Sequence, residues 1–446
     1  MRLFQLFRRK TFDHGIHPAE HKELTCRLPI RRLPFATRLI VPLSQHIGAP
    51  AKPIVHPRQE VVRGEPIAEA QGFVSVPMHA PATGVVRAID LVHTAAGPKT
   101  QAVIIDVYEG SNQEVLYESP RDLDSLSPEQ IIQAVQDCGM VGQGGAAFPS
   151  HVKLKPPQGK HVDTLVVNGC ECEPYLTCDH RIMLEQTGDV IAGARLIMRA
   201  LGVDRAMIGI EDNKMDAVEA LRQQVPKDSG ISVHAVETKY PQGAEKMLIE
   251  SLLGRQVPTG GLPLDVGVIV FNVGSLAQLG QLLPLGRGHI ERVLTVAGPG
   301  VSRPGNYLTP VGTPIRFLLE QAGVKPGKRE VILGGPMMGM SVSSLDVPVT
   351  KAMSGMVVLG ESDADLDPRK VYPCIRCARC VEACPMHLNP STLGLLAAKR
   401  QYATMAKDFH LFDCFECGCC SYVCPANIPL VQYFRIAKAV NREQAA

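Results

Sequence analysis

Eight of the fourteen cysteines fall into two copies of one pattern near the C-terminus. The first copy is Cys374-x2-Cys377-x2-Cys380-x3-Cys384-Pro385 and the second is Cys414-x2-Cys417-x2-Cys420-x3-Cys424-Pro425. This spacing holds pairs of [4Fe–4S] cubanes in bacterial proteins. Three thiolates at two-residue gaps wrap one face of a cubane, and the fourth, turned away by its proline, reaches the other cluster. Cys374, Cys377, Cys380 and Cys424 are therefore expected at one cluster. Cys414, Cys417, Cys420 and Cys384 are expected at the other. Cys419 lies out of register and reads as a free buried thiol, with a ligand role as the alternative. Zinc prefers paired Cys-x-x-Cys units across a longer gap, so the repeated spacing argues against it. The 29 residues between Cys384 and Cys414 leave room for a helix over Leu393–Phe409. The end of the chain is thus expected to be a helical two-cluster module. Two one-electron centres in series form a wire, so the chain needs a donor.

At 446 residues the chain is too long for one core, and three or four domains are expected. Clustered cysteines in a long chain point to metal binding in a reducing compartment rather than to a secreted disulfide framework. The net charge of +2 and the absence of Trp argue against a nucleic-acid binder. Residues 1–60 hold eleven Lys/Arg against four Asp/Glu, so positive charge is concentrated there. The tail Met1–Lys10 is apolar and basic but too short for a secretory signal. It reads either as a tail lying on its own protein or as a contact with anionic lipid or a membrane protein partner. No stretch approaches the ~20 apolar residues of a membrane-spanning helix. An acidic linker, Glu361–Asp367, precedes the cysteine-rich end.

Residues 54–110 are rich in Val, Ile, Pro and Gly in short β-type runs. They resemble the barrel-sandwich hybrid fold of biotinyl and lipoyl carriers. The hairpin that would carry the modified lysine reads Glu69-Ala70-Gln71-Gly72-Phe73, without lysine. The fold is therefore expected without the prosthetic group. Ser127, Pro128 and Gln130 form a helix start with a capping box, and Gly139 ends that helix. Strand-like runs at 164–168, 206–210, 231–236 and 267–271 alternate with helical patterns at 188–201, 214–224 and 243–253. This alternation predicts a parallel α/β sheet. Short strands near 292–297 and 330–333 flank a helix over Pro314–Ala322, which suggests a small α+β unit.

Gly139, Gly142, Gly144 and Gly145 lie within seven residues ahead of Lys153. The run is neither a GxGxxG fingerprint nor a P-loop. Its glycines still allow close backbone approach to a ligand, and Lys153 offers a positive charge. The loop resembles the FMN-binding loop of the NADH-oxidising flavin subunit of respiratory complex I. The segment from Asn168 through Glu171 and Glu173 to Pro174 is similar to that family's Asn-x-Asp-Glu-x-Glu-Pro turn, with Cys170 at the Asp. Gly243-Ala244-Glu245 stands at a Gly-Glu-Glu element, with Ala244 at the first Glu. Asn272 and Ser275 match an Asn-Asn-Val-x-Thr element. The resemblance implies FMN held by Gly142, Gly144, Gly145, Lys153, Asn168, Gly243, Asn272 and Ser275. It implies NAD(H) contacts at Glu171, Glu173 and Glu245, with a solvated turn as the alternative for Glu171 and Glu173.

Over nearly its full length the chain resembles the RnfC family, the C components of the Rnf (Rsx) ion-translocating electron-transport complexes. The order is a barrel-sandwich hybrid (1–120), a Rossmann-like FMN/NADH α/β domain (121–288), a β-grasp SLBB unit (289–345), and a linker with a 2x[4Fe–4S] ferredoxin-type module (346–446). His14-Gly15-Ile16-His17-Pro18 is similar to the family's Gly-Gly-Ile-His-Pro signature, with His14 at the first glycine. Many members carry an Ala/Lys-rich extension beyond the second cluster. The resemblance implies a translocase component in which NADH reduces FMN and single electrons leave through two [4Fe–4S] clusters. It implies other Rnf components as partners, the ferredoxin-like RnfB and the membrane proteins RnfA, RnfD, RnfE and RnfG, with coupling to Na+ or H+ transport. It places the chain peripherally on the cytoplasmic side of the cell inner membrane. The alternatives are a flavin–iron–sulfur cobalamin reductase, against which the N-terminal hybrid domain argues, and a flavin-less electron-relay scaffold, against which the retained glycines, Lys153 and Asn168 argue. No catalytic side chain is expected, because the cofactors carry the chemistry.

Overall fold

The computed structural model describes residues 10–95, 97–325, 329–360 and 370–445. The basic tail before Lys10 and the acidic linker at 361–367 lie outside them. The chain forms four packed units.

After β1 (Ile30–Arg32) comes the hybrid domain: β2 (Arg38–Pro42), β3 (Lys52–Pro53), β4 (Glu60–Val61), β5 (Pro66–Glu69), β6 (Met78–His79), β7 (Gly84–His93) and β8 (Lys99–Val107). One sheet runs β2-β8-β7-β4 and a second runs β3-β5-β6, with antiparallel pairings throughout. Val41, Ile67, Met78, Val86, Val103 and Ile105 fill the core between them. The lysine-free hairpin after β5 packs on the next domain. His151 Nε2 lies 2.8 Å from the Phe73 carbonyl, and the two rings meet edge to face.

The α/β domain contains α1 (Pro128–Asp137), α2 (Ser150–Lys153), β9 (Thr164–Asn168), α3 (Cys178–Glu185), α4 (Thr187–Leu201), β10 (Ala206–Glu211), α5 (Met215–Gln224), β11 (Ile231–Val236), α6 (Glu245–Leu253), β12 (Val268–Asn272) and α7 (Val273–Leu285). The predicted capping box on α1 is present. Its four strands are parallel in the order β11-β10-β9-β12. They read as continuous apolar runs because helices cover both faces. The chain steps one way from β9 to β10 and β11, then crosses back to place β12 on the other side of β9. The crevice beyond the C-terminal ends of β9 and β12 is thus the topological switch point, where open α/β sheets bind ligands. α7 packs tightly on α4, since a Cβ at Gly193 would lie 2.0 Å from the Leu276 carbonyl oxygen. That close approach fixes where α7 starts, at the crevice.

β13 (Glu291–Ala297), β14 (Gly305–Pro310), α8 (Ile315–Ala322), β15 (Glu330–Leu333), β16 (Met340–Ser341) and β17 (Gly355–Leu359) form the β-grasp unit. Its sheet runs β1-β14-β13-β17-β15-β16. Two of these strands fall outside the 289–345 boundary read from the sequence. β1 comes from the N-terminal segment and pairs in parallel with β14. β17 joins β13 in parallel and β15 antiparallel near the sheet's middle. A three-residue strand and a lone Val-rich strand carry too little periodicity to be assigned to a distant sheet.

The C-terminal module holds α9 (Arg379–Glu382), α10 (Pro390–Ala398), α11 (Tyr402–Asp408), α12 (Cys419–Tyr422) and α13 (Leu430–Ala445). The single helix expected over Leu393–Phe409 is instead two, broken at Arg400, whose φ is +55°. The break lets α10 and α11 both pack on α13 around Leu393, Met405 and Phe434. The two halves repeat in backbone as well as in sequence. Left-handed residues occur at Arg376, Ala378 and His387, and again at Glu416, Gly418 and Asn427. Such residues cost on the order of 1 kcal/mol each when they are not glycine. They recur at the same places relative to the cysteines of the two runs.

Candidate functional site

Asn168 ends β9 and Asn272 ends β12, and the two are partners in the strand register. Both amides therefore face the switch-point crevice. Asn168 Nδ2 donates to the Gly243 carbonyl at 2.7 Å, and its Oδ1 accepts from the Cys170 N–H at 3.1 Å. Asn272 Oδ1 caps α7 by accepting from Gly274 N at 2.8 Å and Ser275 N at 3.3 Å. Its Nδ2 donates to Asp179 Oδ2 at 2.6 Å. The glycine-rich loop closes on the same point. Gln143 N donates to Ser275 Oγ at 3.1 Å, and a Cβ at Gly144 would lie 3.4 Å from Asn272 Nδ2. At Gly145 a Cβ would meet nothing within 4 Å, and at Gly142 its nearest neighbour would be the Phe148 oxygen at 3.5 Å. Open space beside a glycine loop, with two strand-end amides and a helix N-terminus around it, is a cradle for a flat polar ligand with a phosphate.

Lys153 sits beneath this crevice. Its Nζ donates to the Val270 carbonyl of β12 at 3.2 Å and lies 5.8 Å above the Phe271 ring. Burial pushes its pKa down, and the charge of Glu245 pulls it back up. Glu245 itself is exposed at the start of α6. The acidic pair is occupied by protein. Glu171 accepts from Asp179 N at 2.8 Å and His180 N at 3.1 Å, capping α3. Glu173 accepts from Met337 N at 3.0 Å and Met338 N at 2.9 Å in the β-grasp unit. Burial raises the Glu173 carboxyl to about 7. Neither residue is the solvated side chain of a simple turn. Lys22 bridges the same turn by donating to the carbonyls of Glu171, Glu173 and Leu176. Cys170 is fully buried, and burial holds its thiol far above the usual range, so this position offers no charge.

Three residues that sequence reasoning missed complete the floor. Arg292 is fully buried and donates to Gln143 Oε1 at 2.6 Å and the Met353 carbonyl at 2.9 Å. Asp179 faces Asn272, and its carboxyl is pushed up by burial and then by Glu171. An Asp in the first turn of a helix right after the Pro174 turn was the available signal for Asp179. Nothing local marks Gln143 or Arg292.

The eight repeated cysteines form two groups, and the groups are crossed. A small cavity in the C-terminal module is lined by Cys384, Cys414, Cys417 and Cys420, with Cys419, Leu393 and Phe434 beside them. Cys384 comes from the first run and the other three ligand candidates from the second. In the other group, burial raises the Cys380 thiol first, followed by its neighbours Cys424, Cys374 and Cys377. The environments differ. Cys384 and Cys420 are buried, while Cys377 is exposed. Cys419 is fully buried.

Four family models match successive parts of the chain: an RnfC barrel-sandwich hybrid domain at 10–109, a Nuo51 FMN-binding domain at 135–281, an SLBB domain at 293–341 and a 4Fe–4S dicluster domain at 373–428. The chain is 43% identical over 436 residues to the C component of the proton-translocating ferredoxin:NAD(+) oxidoreductase complex of Clostridium ljungdahlii, covering 97% of this chain and 94% of that protein. The chain belongs to the RnfC family. Other RnfC-family relatives include the C component of the Na(+)-translocating ferredoxin:NAD(+) oxidoreductase complex of Acetobacterium woodii, 41% identical over 86% of each chain. The C component of the ion-translocating oxidoreductase complex of Cronobacter sakazakii is 40% identical, and the match covers 98% of this chain and 57% of that longer protein. The crystal structure of an NAD+-reducing [NiFe]-hydrogenase in the H2-reduced state shares the fold, with a TM-score of 0.51 and 19% identity over 71% of this chain and 65% of that one.

The matched domains thus bring FMN and two [4Fe–4S] clusters to this chain. The residues fit them. Each thiol group supplies four soft sulfur donors. The flavin crevice supplies amide donors and open space at a glycine.

Proposed function

We propose that this RnfC-family chain is the electron-input component of a membrane-bound complex that couples electron transfer between NAD(H) and ferredoxin to Na+ or H+ translocation. The observation that carries this reading is the convergence of Gly142, Gly144, Gly145, Asn168, Asn272 and Ser275 at one switch point, in the same chain as two crossed tetrathiol groups. FMN, when bound, takes two electrons from a nicotinamide and releases them one at a time, which suits one-electron clusters. The chain's own part is to hold and to insulate. Asn168 and Asn272 orient the flavin's polar edge, the glycine loop admits it, and Lys153 holds positive charge under the crevice. Gly243 closes the crevice over Asn168. Glu171 and Glu173 act through the backbone, fixing the turn and the β-grasp contact around the nicotinamide approach, and Glu245 lies at its exposed rim.

Cys374, Cys377, Cys380 and Cys424 hold one cluster, and Cys384, Cys414, Cys417 and Cys420 hold the other. The partners are the ferredoxin-like RnfB and the membrane proteins RnfA, RnfD, RnfE and RnfG, and the chain sits peripherally on the cytoplasmic face of the inner membrane. No helix among the described residues is long and apolar enough to cross a membrane. Ion passage is accordingly assigned to the partners. Inverted membrane vesicles from cells lacking this chain should lose NAD-linked ferredoxin oxidoreduction and the ion uptake coupled to it, with both restored by adding the gene back. Coupled ion uptake that persists without the chain would overturn the proposal.

A further inference from the structure

Two features of the flavin domain meet the cluster module at one residue. Tyr240 lies three positions before Gly243, whose carbonyl holds Asn168 at the crevice. It is 1% exposed, and its hydroxyl donates to the carbonyl oxygen of Cys417 at 2.7 Å. Its backbone is clamped from the other side. Ile16 and Tyr240 exchange both main-chain hydrogen bonds, at 2.9 and 2.8 Å. Gly15 permits that clamp. Its φ is +78°, and a Cβ there would lie 2.7 Å from the Tyr240 oxygen. The Gly15-Ile16 signature near the N-terminus thus has a structural task, which is to hold Tyr240.

Around this contact the module turns its second cysteine run toward the flavin domain. Ile16, Tyr240, Ala383 and Cys419 share one apolar cluster with Cys172, Met337 and Cys417 at its edge. Cys172 Sγ in turn accepts from Gly243 N at 3.3 Å. Gly260 N donates to Asp413 Oδ1 at 3.1 Å, one residue before Cys414. A Cβ at Gly418 would lie 2.8 Å from the Met337 oxygen. Near the first run, by contrast, Val371, Tyr372, Ile375 and Cys377 are all exposed.

We propose that Tyr240 is a positioning residue that fixes the Cys384–Cys414–Cys417–Cys420 site against the flavin loop, so that this site, and not the Cys374–Cys377–Cys380–Cys424 site, receives electrons from the flavin. The inference rests on the flavin and cluster assignments above. With both groups bound, Cys384, Cys414, Cys417 and Cys420 would hold the cluster that takes one electron from the reduced flavin. No bond forms or breaks at Tyr240, whose hydroxyl donates to the Cys417 carbonyl. The outer, solvent-facing site then passes electrons onward.

The test is rapid mixing of the anaerobic holoprotein with NADH, following flavin bleaching and cluster reduction separately, with electron paramagnetic resonance of freeze-quenched samples. Tyr240→Phe removes only the hydroxyl. The expected result is full FMN and iron content, unchanged flavin bleaching, a cluster-reduction phase slowed on the order of tenfold, and an altered resonance signal for one cluster only. Cys384→Ser should abolish the fast cluster phase, and Cys424→Ser should keep it. Protein that bleaches with NADH but keeps the fast phase in Cys384→Ser and loses it in Cys424→Ser overturns the inference alone. So does a Tyr240→Phe protein indistinguishable from the parent in both rate and signal. Parent protein whose flavin does not bleach overturns the proposed function and this inference with it.

Discussion

Cys384→Ser and Cys417→Ser should each cost the chain half of its iron, and the double variant should cost no more than either alone. Serine is close to cysteine in size, so the fold is retained while a soft ligand is lost. The expectation follows from the cavity lined by Cys384 together with Cys414, Cys417 and Cys420. It runs against sequence proximity, since Cys384 belongs to the first run. Cys424→Ser should behave like Cys374→Ser for the same reason, because Cys424 and Cys374 both neighbour Cys380. Iron and sulfide analysis with resonance spectra of each variant reads the pairing directly. If Cys384→Ser and Cys374→Ser removed the same cluster, crossed ligation would be wrong.

Gly145→Leu should fold normally and lose FMN. The φ of Gly145 is outside the left-handed region, and a Cβ there meets no protein atom within 4 Å. A Cβ is therefore accommodated there without strain in the protein itself. The leucine side chain occupies the space left for the flavin. FMN affinity, followed by quenching of flavin fluorescence, should fall on the order of a hundredfold, roughly 2.7 kcal/mol. The thermal midpoint of the flavin-free protein should match the parent's. Unchanged affinity would move the flavin elsewhere. Gly144 is a poorer probe, since its φ of +71° would strain any replacement.

The parallel sheet was legible because each of its strands is a short apolar run between helical patterns. Thr164–Asn168 and Ile231–Val236 match their predicted limits, β10 runs one residue further, and β12 is shifted by one residue. α7 was not anticipated, because its run of Leu and Gly has no clear polar face to give a helical period. Of the six strands of the β-grasp sheet, only β13 and β15 were expected; β14, β16 and β17 were missed, and β1 comes from far along the chain, where no local pattern records a pairing partner.

At the site, the glycines and both asparagines were marked by motif. The roles of Glu171 and Glu173 were not visible, because a carboxylate that caps a helix and one that binds a ribose look alike in sequence. Arg292 gave no signal at all. A buried arginine needs acceptors from other elements, here Gln143 and Met353, which only the fold brings near. The expected cysteine pairing comes from the 3-3-4 spacing, which is set by the size of a cubane rather than by the surrounding protein, and Cys384 lies with Cys414, Cys417 and Cys420 around one cavity.

The most direct measurement is the cofactor content and NADH response of the chain purified without oxygen. The prediction is extractable FMN, iron and sulfide sufficient for two cubanes, and loss of both the flavin band and the broad cluster absorbance on adding NADH. Folded protein that is colourless, that holds zinc in place of iron, or whose flavin stays oxidised under NADH would contradict it.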